Sequence, residues 1–246
     1  MLSQLHMQRV AVECSFASVM NLKEHRSLLA QVLRVYGHNK KAPTPLDLHL
    51  TGLSVTPPEC LPPPDHLSAW ENDGQIKLLQ PCAEEVWRPD ELLWLSPDAT
   101  KTLEAPLSQY RDRVIVIGGL IDKSVKKGMT LKRAVNSGAE AYRLPVREHA
   151  PRADLHPIMT VTGVIQVLCA LEGGATWADA FESTFPKRAI TRREREFERR
   201  TEMRSERRLG SPPPLTVSTP PASAPPLPAG GSAPTHEADE NARTRK

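Results

Sequence analysis

The sequence has few cysteines, no long apolar run and none of the glycine signatures of the common nucleotide sites. Its four cysteines, Cys14, Cys60, Cys82 and Cys169, include no C-x-x-C pair and no histidine at zinc spacing beside them. This pattern predicts structural thiols in a reducing compartment and no metal site. No apolar stretch reaches the length of a membrane span, so we expect no membrane association.

Little room precedes the first predicted strand, which begins about nine residues from Met1, too soon for a secretory signal or a typical transit peptide. We therefore expect a protein of the nucleus or the cytoplasm. The alternative is a mitochondrial protein whose leader is missing from this chain.

The chain divides into three segments by composition. We predict one folded domain over residues 8–190, because roughly 190 residues can bury a substantial core. Residues 191–209 continue a charged run in which residues 187–208 carry ten Lys or Arg against five Glu, a local balance of +5. That run is typical of a solvated helical extension, and an arginine-rich helix also suits a phosphate backbone. Residues 210–246, rich in Pro, Ser and Ala, are predicted to be a disordered tail.

The folded part alternates strand and helix patterns. Strands are predicted at residues 10–16, 47–53, 91–95, 114–117 and 141–145, and helices at residues 22–36, 131–137 and 162–171, with a proline-rich surface loop at residues 57–64. Continuous apolar strands between helices indicate an α/β protein with a mainly parallel sheet. In such sheets ligands bind beyond the carboxyl ends of the strands.

The stretch VIVIGGLIDKSVKKG, residues 114–128, lies at one of these strand ends. Gly118 and Gly119 permit a close backbone approach there. They do not form G-x-G-x-x-G or G-x-x-x-x-G-K, so the sequence gives no support to a dinucleotide or P-loop site. On physical grounds alone, Asp122 is equally suited to capping the following turn and to acid–base chemistry.

Eight collinear motifs give the chain a resemblance to the tRNA (guanine-9) N1-methyltransferase family of the SPOUT class. They begin with SFASVMNLKE at residues 15–24, SLLAQVLRVYGHNKKA at 27–42, LHLTGL at 48–53 and LSPDA at 95–99. They continue with VIVIGGLIDKSVKKGMTLKRA at 114–134, YRLPV at 142–146, MTVTGVIQVL at 159–168 and WADAFESTFPKR at 177–188. The resemblance implies an α/β SPOUT-type fold, with a mainly parallel sheet and a C-terminal trefoil knot.

The resemblance also implies a reaction, a donor and a monomeric enzyme. These enzymes transfer a methyl group from S-adenosyl-L-methionine to N1 of a purine at position 9 of tRNA. Because N1 of guanine carries a proton, a nearby carboxylate can accept it, and the resemblance places Asp122 at the family's general base. Orientation of the base, or contact with the cationic donor, would also need a carboxylate there.

Carried over by motif, the donor site is expected to use main-chain groups of the knot loops and apolar side chains around the adenine. The positions are Leu95, Gly118, Asp122, Lys123, Ser124, Val125, Lys126, Thr130, Leu144, Met159, Thr160 and Val161. Contacts to tRNA are expected on the first helix and its exit, and from lysines beside the catalytic loop that could reach phosphates. These positions are Gln31, Arg34, Asn39, Lys40, Lys41, Lys123, Lys126 and Lys127.

Two functional readings stay open at the level of sequence. In the first, the protein is an autonomous methyltransferase acting on guanine, or adenine, at position 9. In the second, it is the tRNA-binding and methyltransferase subunit of a mitochondrial protein-only RNase P, with dehydrogenase and nuclease partners. A degenerate domain that binds tRNA without turnover is a weaker possibility, since Asp122 and both glycines are retained.

Overall fold

The computed structural model describes residues 7–121, 128–151 and 157–185. Within these ranges, seven strands form one sheet in which every neighbouring pair is parallel. The strands are β1 (Arg9–Glu13), β2 (Asp47–Thr51), β3 (Lys77–Leu78), β4 (Leu92–Leu95), β5 (Lys101–Thr102), β6 (Val114–Gly118) and β7 (Glu140–Arg143). Their order across the sheet is β3-β2-β1-β6-β4-β7-β5, so β6 lies between β1 and β4.

Helices cover the sheet. They are α1 (Leu22–Lys41), α2 (Pro64–Asn72), α3 (Ala83–Val86), α4 (Met129–Asn136), α5 (Val146–His149), α6 (Val161–Glu172) and α7 (Trp177–Thr184). Helix α6 packs against α1 on one side and α7 on the other. In the described part of the chain, no helix combines the length and the apolar character needed to cross a membrane.

The alternating side chains of β6 contribute to two apolar clusters. Ile115 and Ile117 belong to the larger cluster, which includes residues of α1 and α6, whereas Val114 and Val116 belong to a smaller one with Trp94. These four side chains are each at most 4 % exposed. Such a strand, buried on both faces, explains the unbroken VIVI run in the sequence.

The predicted elements all exist, but several boundaries were wrong. The first strand ends at Glu13 rather than at residue 16, because the Glu13 carboxylate accepts the Ser15 N–H at 3.0 Å and starts a 3-10 turn over Cys14–Val19. The second strand stops at Thr51, since Gly52 takes a φ of +72°. Helix α1 was predicted to stop at residue 36 and instead continues to Lys41.

The proline-rich loop predicted at residues 57–64 contains more structure than expected. Pro58–Cys60 form a 3-10 turn, and Pro64 is the first residue of α2, a position at which the missing N–H of proline costs nothing. Helix α2 and the two-residue strands β3 and β5 were not predicted. The charged extension at 191–209 and the Pro-rich tail at 210–246 lie outside the described residues, as do parts of the predicted knot at 122–127 and 152–156.

Candidate functional site

A pocket lies beyond the carboxyl ends of β4, β6 and β7, where the sheet rule predicts a ligand. Six of the predicted donor-site residues line it: Leu95, Gly118, Thr130, Leu144, Met159 and Val161. They come from four separate motifs of the sequence and meet only in the folded chain. Thr160, also predicted, is exposed and is not among the lining residues. Asp122, Lys123, Ser124, Val125 and Lys126 lie outside the described residues, so their predicted roles stay predictions.

The two glycines at the end of β6 are required by close contacts. A Cβ atom on Gly118 would lie 3.0 Å from Thr130 Oγ1 and 3.2 Å from the Phe16 ring. A Cβ atom on Gly119 would lie 2.8 Å from the backbone oxygen of Glu13, the same oxygen that accepts the Gly119 N–H at 2.8 Å. Neither has a positive φ, so what glycine supplies at this strand end is space.

Asp98 is a carboxylate of this pocket that was not predicted as a site residue. It follows β4 within the LSPDA motif, and its Oδ2 accepts the backbone N–H of Gly128 at 3.0 Å. Gly128 caps the start of α4, which also carries Thr130 into the pocket. Asp98, like Asp122, is an aspartate shortly after a buried strand and within a family motif, and this signal could have revealed it.

The start of α6 forms another wall of the pocket through Met159 and Val161. Thr160 caps this helix, since its Oγ1 accepts the Gly163 N–H at 3.0 Å. The Val161 N–H is accepted at 2.8 Å by Oε1 of Gln31, which lies on α1. The α6 terminus is therefore held both by its own cap and by a side chain from a neighbouring helix.

The residues predicted to contact RNA fall into different settings on α1. Arg34 and Lys41 are exposed. Lys40 is exposed as well, but its ammonium forms an ion pair with Asp73 at 2.9 Å and donates to Tyr36 Oη at 3.2 Å. Gln31, also predicted to contact RNA, is only 7 % exposed. Lys123, Lys126 and Lys127 lie outside the described residues.

Asn39 is a correction to the predicted RNA contacts. Its side chain is 1 % exposed, its Nδ2 donates to Leu46 O at 3.0 Å, and its Oδ1 accepts the Leu46 N–H at 2.9 Å. Both ends of the amide are thus committed to closing the connection between α1 and β2. Asn39 is a structural residue of the core and has no atom available for RNA.

The exposed face of α1 extends further than the sequence indicated. Lys23 and Arg26 are exposed about two to three turns before Arg34, and the spacing of these two residues, Arg34 and Lys41 places all four along one side of the helix. They were not predicted because the family resemblance placed the RNA contacts on the second half of the helix and its exit. A row of exposed cations along a helix is suited to a phosphate backbone.

A family model described as tRNA (guanine(9)-N(1))-methyltransferase TRM10/TRM10A matches residues 2–190. The chain belongs to this family. It is 32 % identical over 183 residues to tRNA methyltransferase 10 homolog B of Rattus norvegicus, covering 71 % of this chain and 55 % of the relative. It is 27 % identical over 180 residues to homolog A of Mus musculus, covering 73 % and 53 %. The chain thus spans little more than half the length of these curated relatives.

The fold agrees with solved structures of the same family. The crystal structure of full-length spTrm10 in complex with SAH matches with a TM-score of 0.62 at 25 % identity, covering 72 % of this chain and 94 % of that one. A dual specific Trm10 from Thermococcus kodakaraensis matches in fold alone, with a TM-score of 0.55 at 15 % identity over 72 % of this chain and 99 % of that one. These similarities confirm the predicted SPOUT-type α/β fold.

Proposed function

We propose that this protein transfers the methyl group of S-adenosyl-L-methionine to N1 of guanine at position 9 of tRNA. The observation that carries the proposal is the meeting of six motif residues in one pocket at the carboxyl ends of β4, β6 and β7. The family to which the chain belongs is described by this reaction. The SAH held by spTrm10 is what remains of the donor after methyl transfer, which supports S-adenosyl-L-methionine as the donor here.

The pocket has the character that an adenosyl group requires. Leu95, Leu144 and Met159 supply apolar surface for a purine ring, while the end of β6 brings main-chain groups close because Gly118 has no side chain. The sulfonium of the donor is positively charged, and Asp98 places a carboxylate in the same pocket. Residues present in the described chain thus fit both the apolar and the charged parts of the donor.

Methyl transfer to N1 of guanine requires a proton acceptor. N1 of guanine becomes nucleophilic only as its proton leaves, so a carboxylate within hydrogen-bond reach of that nitrogen accelerates the transfer. We propose Asp122 as this base, on the strength of its place in the family motif. N1 of neutral adenine carries no proton, so transfer to A9 would make no such demand on Asp122.

The experiment measures transfer of labelled methyl groups to unmodified tRNA transcripts that carry G or A at position 9. It compares the wild-type chain with Asp122→Asn. We expect transfer to G9 that rises with pH and falls by about a hundredfold or more in the variant, the usual contribution of general base catalysis. Equal rates in the two proteins would remove the role of Asp122. A wild-type chain that binds donor and tRNA without transfer would contradict autonomous activity and point to a subunit that depends on partners.

We propose that tRNA docks along the exposed cations of α1, with Arg34 and Lys41 as contacts, and that the protein acts as a monomer in the nucleus or cytoplasm. Monomeric action is supported by α6, whose apolar side chains are buried against α1 and α7 of the same chain. Light scattering after size-exclusion chromatography tests the oligomeric state. Microscopy of a tagged chain tests the compartment.

A further inference from the structure

Gln31 connects the RNA-facing helix to the donor pocket. Its side-chain oxygen, Oε1, accepts the backbone N–H of Val161 at 2.8 Å. Its own backbone oxygen is 3.4 Å from the Thr162 hydroxyl, which donates to it. Gln31 is 7 % exposed and Val161 is 3 % exposed, so this contact between α1 and α6 is shielded from water.

The Val161 N–H depends on this contact. The first N–H groups of a helix have no partner within the helix and must find one elsewhere. Thr160 satisfies the Gly163 N–H, and Gln31 satisfies that of Val161. Without the Gln31 oxygen, a buried donor would be left unpaired, which is costly enough to move the backbone that carries it.

That backbone belongs to the donor pocket. Val161 lines the pocket with its side chain, and Met159 lines it two residues earlier. We propose that Gln31 is a positioning residue of the methyl-donor pocket, which holds the Met159–Val161 wall in place, and is not a contact to tRNA. The inference rests on the proposed function, and it assigns to the donor site a residue that the sequence had assigned to RNA.

The two roles predict opposite results for one substitution. Gln31→Met keeps the length of the side chain and removes the oxygen. If Gln31 positions the pocket, the dissociation constant of S-adenosylhomocysteine should rise about tenfold, the cost of one unpaired buried donor, while that of tRNA changes less than about twofold. In turnover, KM for S-adenosyl-L-methionine should rise and KM for tRNA should stay. Calorimetry and fluorescence anisotropy on the full 246-residue chain give the two binding constants.

The chain offers a matched control in Asn39. It is also a buried amide on α1 whose oxygen accepts a backbone N–H, that of Leu46 at 2.9 Å, but it is absent from the pocket wall. Asn39→Leu should lower the melting temperature at least as much as Gln31→Met, with S-adenosylhomocysteine affinity unchanged. A loss of donor affinity in both variants would show that it follows from general destabilisation and would overturn the proposal.

A conservative pair keeps the test decisive if Gln31→Met does not fold. Gln31→Glu retains an acceptor oxygen at the same reach and should keep donor affinity within about threefold, whereas Gln31→Asn withdraws the oxygen by one methylene and should lose it. The opposite order, or a loss confined to tRNA affinity, would refute the assignment. A wild-type chain that binds neither ligand would contradict the proposed function itself, whatever the variants do.

Discussion

Arg133 on α4 lies against the buried carboxylate of Glu13 at the end of β1, with its Nη2 atom 3.6 Å from Glu13 Oε1. The same guanidinium pairs with Glu84 at 2.8 Å, and its carbon lies 4.9 Å from the centre of the Phe16 ring. Burial disfavours its charge, but the two carboxylates outweigh burial and the pKa of Arg133 is raised. One cation therefore holds α4 against the centre of the sheet.

The Glu13 carboxylate also has several hydrogen-bond donors around it. Its carboxylate is 0 % exposed and accepts hydrogen bonds from the Ser15 N–H at 3.0 Å, the Thr51 hydroxyl at 2.8 Å and the Ala83 N–H at 2.7 Å. A buried anion of this kind is tolerated only while its partners remain. The turn after β1, the last residue of β2 and the start of α3 thus meet at one carboxylate.

Arg133→Met should lower the free energy of unfolding by about 3 kcal/mol, because it leaves Glu13 buried without its cation. Urea denaturation followed by circular dichroism measures the change. Arg143→Met is the matched control, since Arg143 pairs with Glu148 at the surface, where such a pair contributes at most about 1 kcal/mol. Equal losses in the two variants would show that the Glu13 contact has no special weight.

Gly119→Ala should destabilise the protein by about 2 kcal/mol, because its Cβ would lie 2.8 Å from the backbone oxygen of Glu13 and neither strand can yield freely. Thermal unfolding measures the effect. Gly37→Ala is the control: nothing lies within 4 Å of a Cβ there, and a helix interior gains up to about 1 kcal/mol from the exchange. A stable Gly119→Ala protein would mean that the end of β6 can shift.

Asp98→Ala should weaken S-adenosylhomocysteine binding by about tenfold, because it removes the acceptor of the Gly128 N–H at the edge of the pocket. Asp98→Asn keeps an acceptor oxygen without the charge. Isothermal calorimetry of both variants, with S-adenosylhomocysteine and with S-adenosyl-L-methionine, separates the hydrogen bond from electrostatic attraction to the sulfonium, which only the second ligand carries. Asp90→Ala, at an exposed surface pair with Arg88, should leave binding unchanged. An unaltered affinity in Asp98→Ala would exclude Asp98 from the donor site.

Stability should fall in acid between about pH 4 and pH 2, because the pKa of Asp47 is lowered from 3.8 to about 2. Burial raises this pKa, but the neighbouring His49 ring and the hydrogen bond from Lys77 outweigh burial. A folded-state pKa below the unfolded value means that the stabilisation is present above the unfolded value and is lost on acidification, here about 2 kcal/mol. Hydrogen bonds from Lys101 and Arg113 lower the pKa of Glu140 to about 2, so this carboxyl group titrates in the same pH window.

Asp47→Asn removes the contribution of Asp47 to this acid sensitivity. The free energy of unfolding, measured with urea from pH 2 to pH 5, should then depend less steeply on pH. The contribution of Glu140 to the acid sensitivity should persist, but it is smaller because that side chain is 41 % exposed. A curve that keeps its full slope in Asp47→Asn would assign the acid sensitivity to other carboxylates.

The location of the pocket was predictable because ligands of parallel sheets bind beyond the strand ends, and such ends are visible as breaks in apolar runs. Leu95, Gly118 and Leu144 were named through the family resemblance, and all three line the pocket. Asp98 was overlooked although it follows the same rule. The strand order was not predictable from pattern, since nothing local records that β6 lies between β1 and β4.

The misassignment of Asn39 and the early end predicted for α1 have a different cause. Whether an amide on a helix faces water or the core depends on the neighbouring elements, and neither Gln31 nor Asn39 carries that information in its own sequence context. Leu46 and Val161, the partners of these amides, lie 7 and 130 residues away along the chain. The helix was cut short at residue 36 because Gly37 and Asn39 are weak helix formers, whereas the Asn39 contact with Leu46 stabilises the last turn.

The pairing of β1 with β6 sets a condition on the synthesis of this protein. Arg9 pairs with Val114, and Glu13 with Gly118, while β2, β3, β4 and β5 are all encoded in the interval between them. During synthesis on the ribosome, the edge of β1 that pairs with β6 therefore stays unpaired until β6 has emerged. Nascent chains that end before Val114 expose this edge, which is then open to pairing with a strand of another chain.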